Sequence, residues 1–318
     1  MKEREVQFKS ISGMNIFGTL TQPTSMDQRR PAILLVPGSG PLDRNGNGKR
    51  KSQTLNLYNQ LASFLTEQGF ITLRYDKRGT GKSEASFMET GFWDLVEDAR
   101  AAIQTLKEEP AVDPKRIFVI GHSEGGILAP EIVKGHNLAG LILVAGAAQS
   151  LPEALAFQRE QTVQELKNVK GIKGKLLSLF NVGEKAEKQG QKFDQKILRS
   201  TKDVVRYQGI KINAKWFREH ATYNIYEGLV EIDCPVLAVT GSKDLQVMPE
   251  RVYETVKYTK VETEAHIVDG MNHMLRDQAD DVGILQLKKA YKDVGSQPLS
   301  PPFLELVKMW LNKHVSSG

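Results

Sequence analysis

Residues 116–133 read Arg-Ile-Phe-Val-Ile-Gly-His-Ser-Glu-Gly-Gly-Ile-Leu-Ala-Pro-Glu-Ile-Val. Arg116 to Ile120 is a short, nearly continuous apolar run, the pattern of a strand covered on both faces. Ile127 to Val133 is apolar again and reads as a helix. Between them, Gly121-His122-Ser123-Glu124-Gly125 forms G-x-S-x-G. Those five letters recur by chance in a glycine-rich chain, so the setting matters more than the pattern. A strand that turns sharply into a helix lifts the serine hydroxyl clear of the sheet. Glycines two residues before and after Ser123 are needed because a side chain there would strike neighbouring backbone. The free N–H groups of the helix start then face any negative charge that develops near Ser123. Helix capping is the bland alternative role for this serine.

Working outward, further short apolar runs alternate with helical patterns. Ala32 to Val36, Ile71 to Tyr75, Leu138 to Val144, Pro235 to Thr240 and Ala265 to Val268 read as strands. Leu57, Tyr58, Leu61, Phe64 and Leu65 recur at helical spacing, as do Phe92, Leu95, Val96, Ala99, Ile103 and Leu106. A last helix carries Phe303, Leu306, Val307, Trp310 and Leu311 behind Pro301-Pro302. This alternation predicts an α/β fold with a mostly parallel sheet flanked by helices. Arg4 to Ser10 and Asn15 to Gln22 are expected to add an antiparallel hairpin at the sheet edge, joined at Ser12-Gly13.

The rhythm stops between about Ala148 and Gly228, where the pattern is Lys- and Gln-rich and helical with no convincing strand. The expected organisation is a core of residues 1–147 and 229–318, interrupted by a mainly helical cap or lid of residues 148–228. Residues 158–220 hold 15 Lys/Arg against 7 Asp/Glu, so in a chain of net charge +5 the remainder is net negative. Helices commonly present such lysines to solvent, and no aromatic-interleaved basic stripe accompanies them, so nucleic acid is not an expected partner. No apolar run reaches the ~20 residues a membrane helix needs. Cys234 is the only cysteine, which precludes an intrachain disulfide and argues against a cysteine-based metal site. A cytoplasmic protein is the expectation.

From the sharp strand-to-helix turn at Ser123, an elbow in the chain, and from this alternation, the chain resembles the α/β-hydrolase family along almost its whole length. The resemblance implies a triad in the order Ser, Asp or Glu, His, each at the carboxyl end of a strand. Residue by residue, Ser123 matches the nucleophile. Asp244, in Gly241-Ser242-Lys243-Asp244, matches the acid, and His273, in Asp269-Gly270-Met271-Asn272-His273, matches the base. Asp233 and Asp269 compete for the acid position; the first precedes its strand, and the second fits the family geometry less well. His122, inside the elbow, is expected to bond locally. The resemblance also implies an oxyanion hole from the backbone N–H groups of Ser39 and Glu124, although Pro37 stands where the family commonly has histidine. Asp76-Lys77-Arg78-Gly79-Thr80-Gly81-Lys82-Ser83 looks like the family's bracing turn D-x-R-G-x-G-x-S.

Two motifs are decoys. Gly81-Lys82-Ser83 lacks the earlier glycine of a nucleotide-binding loop, where Asp76 stands. Asp43 to Gly48 follows D-x-N-x-N-G, but the twelfth calcium-loop position is Thr54 rather than glutamate. The implied function is hydrolysis of small carboxylic esters through an acyl-enzyme on Ser123, using no cofactor and no metal. Leu151, Leu155, Phe157, Leu176, Leu177, Leu179, Phe180, Trp216 and Phe217 are candidates for an acyl pocket, or for the cap's own core. A peptidase, a thioesterase and a non-catalytic ligand receptor on the same fold are the alternatives.

Overall fold

The computed structural model describes residues 1–25, 27–50, 53–171 and 182–315. In chain order the body begins with β1 (Lys2–Lys9), β2 (Asn15–Gln22), β3 (Arg30–Val36), α1 (Leu57–Glu67) and β4 (Ile71–Tyr75). It continues with α2 (Phe92–Glu108), β5 (Val112–His122), α3 (Glu124–Val133) and β6 (Gly140–Val144). An insertion follows, with α4 (Leu151–Lys167), α5 (Val182–Leu198), β7 (Val204–Tyr207), β8 (Ile210–Asn213), α6 (Ala214–Thr222) and α7 (Ile225–Val230). The body resumes with β9 (Val236–Gly241), α8 (Val252–Tyr258), β10 (Thr263–Val268) and α9 (Pro301–Val315).

Eight strands form one sheet in the order β1-β2-β4-β3-β5-β6-β9-β10. The β1–β2 hairpin is antiparallel and joins β4 in the antiparallel sense, while the pairings from β4 to β10 are parallel. Strand alternation divides the core in two. Ala32, Leu34 and Val36 of β3, with Ile117 and Val119 of β5, face the layer of α2 and α3. Ile33, Leu35, Phe118 and Ile120 face α1 and α9, where Phe303, Val307, Trp310 and Leu311 pack. Burial on both faces explains why these strands read as unbroken apolar runs. Because β3 leads to β4 on one side and β5 lies on the other, the strand order reverses between β3 and β5. A crevice opens there beyond the carboxyl ends of the strands, the usual ligand position in such sheets.

Residues 204–213 depart from expectation. Val204–Tyr207 and Ile210–Asn213 form a two-stranded antiparallel hairpin apart from the main sheet. Its signal was present: β-branched residues flank Gln208-Gly209, and both turn residues take positive φ, 48° and 81°, as a tight two-residue turn requires. Such four-residue strands are too short to stand out beside the long sheet strands. Polar contacts fasten the insertion to the body. Lys215 Nζ meets Asp94 Oδ2 at 2.7 Å, Asn213 Nδ2 donates to the carbonyls of Phe87 and Thr90, and Arg251 Nη2 meets Glu153 Oε1 at 2.8 Å. Leu176, Leu177, Leu179 and Phe180 lie outside the described residues. No described helix is long and apolar enough to cross a membrane.

The D-x-R-G-x-G-x-S turn works as a brace. Asp76 accepts from the backbone N–H and the guanidinium of Arg44 at 2.8 and 2.7 Å and from Lys82 N–H at 3.0 Å. Ser83 Oγ donates to the Asp76 carbonyl and accepts from Phe17 N–H of β2. Arg78 grips Asp98 of α2 with two hydrogen bonds of 2.7 and 2.9 Å. Burial pushes the Asp98 carboxyl up to about 6, with Arg78 pulling against that shift. The Asp43 loop closes on itself, since Asp43 Oδ1 accepts from Asn45 and Asn47 N–H. Removing one partner of a buried pair strands the other. Arg78→Leu is therefore expected to lower unfolding free energy by about 3–5 kcal/mol in urea titration, whereas Asp113→Asn at the half-exposed Arg116 pair should change it by less than about 1 kcal/mol.

Candidate active site

Four loops at the carboxyl ends of β3, β5, β9 and β10 meet in the crevice. Ser123 occupies the turn from β5 into α3 with φ 54° and ψ −117°, a region that costs a non-glycine residue roughly 1–3 kcal/mol. Its N–H donates to Val144 O of β6 at 2.8 Å, and its carbonyl accepts from Gly126 N–H. The flanking glycines leave no room for alternatives: a Cβ at Gly125 would lie 2.3 Å from Val36 O, and one at Gly121 would lie 2.4 Å from Gly125 O.

Asp244 and His273 sit on neighbouring loops after β9 and β10, joined by Ser242 N–H to Val268 O and Lys243 N–H to Met271 O. Asp244 Oδ1 accepts the N–H groups of Gln246 and Val247, and its Oδ2 lies 2.7 Å from His273 Nδ1. A carboxylate only accepts, so Nδ1 carries the proton and leaves Nε2 with its lone pair toward Ser123 Oγ, at 3.0 Å. Asp244 and His273 are 2% and 3% exposed. Asp269 instead accepts from Ser242 Oγ, and Asp233 is exposed before β9.

His122 forms a second chain of hydrogen bonds. Its Nε2 lies 2.9 Å from the His273 carbonyl, which can only accept, so in the neutral ring Nδ1 is bare. The Tyr58 hydroxyl donates to Nδ1 at 3.0 Å and accepts from Gly38 N–H at 2.6 Å. The loop after β3 is thus tied through the elbow to the loop after β10. Ser39 lines a cavity of about 130 Å³ with Leu42, Leu55, Leu57, Ser123 and Met274. Among the described residues, nothing accepts the N–H of Ser39 or of Glu124.

The Glu124 side chain escaped the reading from sequence, which assigned this residue only a backbone role. It is buried, accepts from Lys77 Nζ at 2.6 Å, and also accepts from Trp216 Nε1 of the insertion. His220 Nε2 approaches Glu124 Oε1 at 3.2 Å without the alignment of a hydrogen bond, while its Nδ1 donates to Trp216 O. Burial opposes ionisation of Glu124, but Lys77 and His220 outweigh it and bring its pKa down to about 2. The signal available was that the variable positions of two adjacent motifs carry opposite charges. Of the apolar insertion residues, Leu151, Leu155 and Phe217 line a separate cavity of about 90 Å³ with Phe193 and Ile197.

Comparison with known proteins gives a consistent picture. Residues 50–279 match the family described as serine aminopeptidase, S33. The chain is 27% identical to esterase EstD of Thermotoga maritima over 292 residues, which cover 90% of this chain and 64% of that relative's length. Its fold resembles α/β hydrolase GrgF from Penicillium sp. sh18, with TM-score 0.62 and 19% identity over 99% of this chain and 100% of the other. It also resembles Est1E from Butyrivibrio proteoclasticus, solved with ferulic acid bound, with TM-score 0.57 and 18% identity over 91% and 96% of the two chains. These likenesses identify the fold as that of an α/β-hydrolase.

The buried histidine sets a pH dependence. Burial, reinforced by His273, drives the His122 pKa from 6.5 down to about 3. Between those values the unfolded chain binds a proton that native His122 refuses, so stability falls as pH falls. Glu124, depressed from 4.5 to about 2, adds a loss of the same sign at lower pH. Asp98, raised to about 6, acts in the opposite sense below that pH, because its folded form holds a proton that the unfolded chain releases. The comparison between proteins isolates His122: from about pH 7 to about pH 4.5, urea midpoints should fall less in His122→Asn than in the unsubstituted protein. An unchanged slope in that variant would place the titrating group elsewhere.

Proposed function

We propose, from the premise that this chain belongs to the serine aminopeptidase S33 family, that it hydrolyses small carboxylic esters through an acyl-enzyme on Ser123. The observation that carries this reading is the chain of contacts from Asp244 Oδ2 to His273 Nδ1 at 2.7 Å and from His273 Nε2 to Ser123 Oγ at 3.0 Å. A serine hydroxyl is a weak nucleophile at neutral pH and needs a base within hydrogen-bond reach. His273 takes the Ser123 proton as Oγ adds to the ester carbonyl. It then gives that proton to the leaving alkoxide as the tetrahedral intermediate collapses. Water repeats the sequence on the acyl-enzyme, releasing the acid and regenerating Ser123. Asp244 keeps the imidazole in the useful tautomer and stabilises the imidazolium. The N–H groups of Ser39 and Glu124 receive the oxyanion, which their lack of other acceptors supports.

Residues 148–228 act in this reading as a cap, with Trp216 reaching from α6 to the elbow. The small cavity beside Ser123, walled by Leu42, Leu55, Leu57 and Met274, suits a short acyl or alcohol group. The family description makes amide cleavage at a peptide's amino terminus the second reading. None of the described residues lining that cavity is acidic, so no carboxylate there offers to hold a substrate ammonium, and esters are the better supported class. The name of the Thermotoga relative supports the same choice.

Ser123→Ala is expected to cut kcat on p-nitrophenyl acetate by up to ~10⁶-fold, with His273→Ala costing about as much because the two act as a unit. Asp244→Asn should cost about 10⁴-fold. Parallel assays with acyl-CoA thioesters and aminoacyl p-nitroanilides distinguish the bond cleaved. Near-normal ester turnover by the Ser123 variant would end this reading.

A further inference from the structure

The two variable positions of the neighbouring motifs, Lys77 in D-x-R-G and Glu124 in G-x-S-x-G, form an ion pair buried beside the elbow, with side chains 3% and 2% exposed. A buried pair contributes little net stability, since desolvation offsets attraction, so stability alone does not account for one here. Lys77 does more than neutralise Glu124. Its Nζ also donates to Gly38 O at 3.0 Å. That carbonyl belongs to the Gly38–Ser39 peptide, which is planar and trans, so holding the oxygen turns the Ser39 N–H to the opposite side. The preceding N–H, of Gly38, is held by Tyr58. The whole unit is therefore clamped against the elbow, where a Cβ at Gly38 would crowd Ser123 Cβ at 3.2 Å.

We infer that Lys77 and Glu124 are positioning residues that aim the oxyanion-hole peptide of Ser39, and that Trp216 makes this aim depend on the insertion. This rests on the reading of Ser123 as an acylated nucleophile. Charge supports it as well as geometry. Glu124 follows Ser123 directly, and a bare carboxylate there would oppose an oxyanion; Lys77 cancels that field while directing another N–H to Gly38 O. Trp216 Nε1 occupies the other carboxylate oxygen, so a shift of α6 is felt at Glu124, then at Lys77, then at the Gly38 carbonyl. Lys77 also lies 5.9 Å from the Phe87 ring centroid, which further limits where its ammonium can move.

The test uses the full chain, p-nitrophenyl acetate as substrate and an alkyl trifluoromethyl ketone as a probe that forms an oxyanion on the enzyme. Lys77→Met should lower kcat by about 10²-fold or more, as loss of an oxyanion donor does, with KM changed by less than about threefold. Ketone affinity should fall in parallel, while the pH profile of kcat/KM keeps its shape because the triad is untouched. Trp216→Phe retains an aromatic ring but removes the N–H donor, and should lower kcat by about tenfold with the same split. A folded Lys77→Met protein with wild-type kcat, or one that loses kcat without losing ketone affinity, overturns the inference. Should Lys77→Met fail to fold, Trp216→Phe decides: unchanged kcat and ketone affinity overturn it. A wild-type protein that leaves the ester intact, or a Ser123→Ala variant that cleaves it, would instead sink the hydrolase reading itself.

Discussion

A serine forced to φ 54° at the end of a buried strand persists only because its surroundings allow no relaxation. The backbone of β6 takes its N–H, the first turn of α3 takes its carbonyl, and Gly38 and Gly146 approach it closely from the neighbouring loops. Ala145, next to the Val144 that accepts this N–H, also takes a positive φ of 51°, so the strained backbone extends to the adjoining loop. The sheet supplies this rigidity. Its central strands are covered on both faces, and their carboxyl ends cannot shift without disturbing both cores at once. The half-buried hydroxyl is therefore held by apolar packing some distance below it.

Above the sheet the logic changes from apolar packing to satisfied polarity. Two hydrogen-bonded chains cross the elbow. One runs from Asp244 through His273 to Ser123, and the other from the His273 carbonyl through His122 and Tyr58 to Gly38. They share His273, one through its ring and the other through its backbone. Burial keeps His122 neutral, and neutrality is what lets it donate from one nitrogen and accept at the other. A charged ring would donate at both positions, reversing the link to Tyr58 and leaving the Tyr58 hydroxyl proton without this acceptor.

The insertion is joined to this arrangement through charge. Lys215 reaches Asp94, Arg251 reaches Glu153, and Trp216 reaches Glu124, so its polar residues are partly spent on the body. The surplus of lysine in residues 158–220 coexists with specific ion pairs, among them Arg159 with Asp194 and Arg218 with Asp203. Apolar residues of α4, α5 and α6 meet one another, so Leu155 and Phe217 line a cavity distinct from that beside Ser123.

Periodicity and motif setting, both local properties, made the α/β alternation legible: strands covered on both faces give continuous apolar runs, and the elbow's glycines mark a turn no other residue can make. Asp244 and His273 were readable as candidates because each ends a strand in the order the family resemblance implies. The hairpin at 204–213 was harder to see because its strands are four residues long and pair only with each other. What no local pattern contains is which side chains meet across the sheet. Lys77 and Glu124 are 47 residues apart, His122 and Tyr58 are 64 apart, and Trp216 reaches Glu124 across 92. The layered fold and the position of its turn are thus written locally, because hydrophobic period and glycine sterics act between near neighbours. The partners of the buried charges emerge on folding, because desolvation and hydrogen-bond geometry depend on groups brought together from distant parts of the chain.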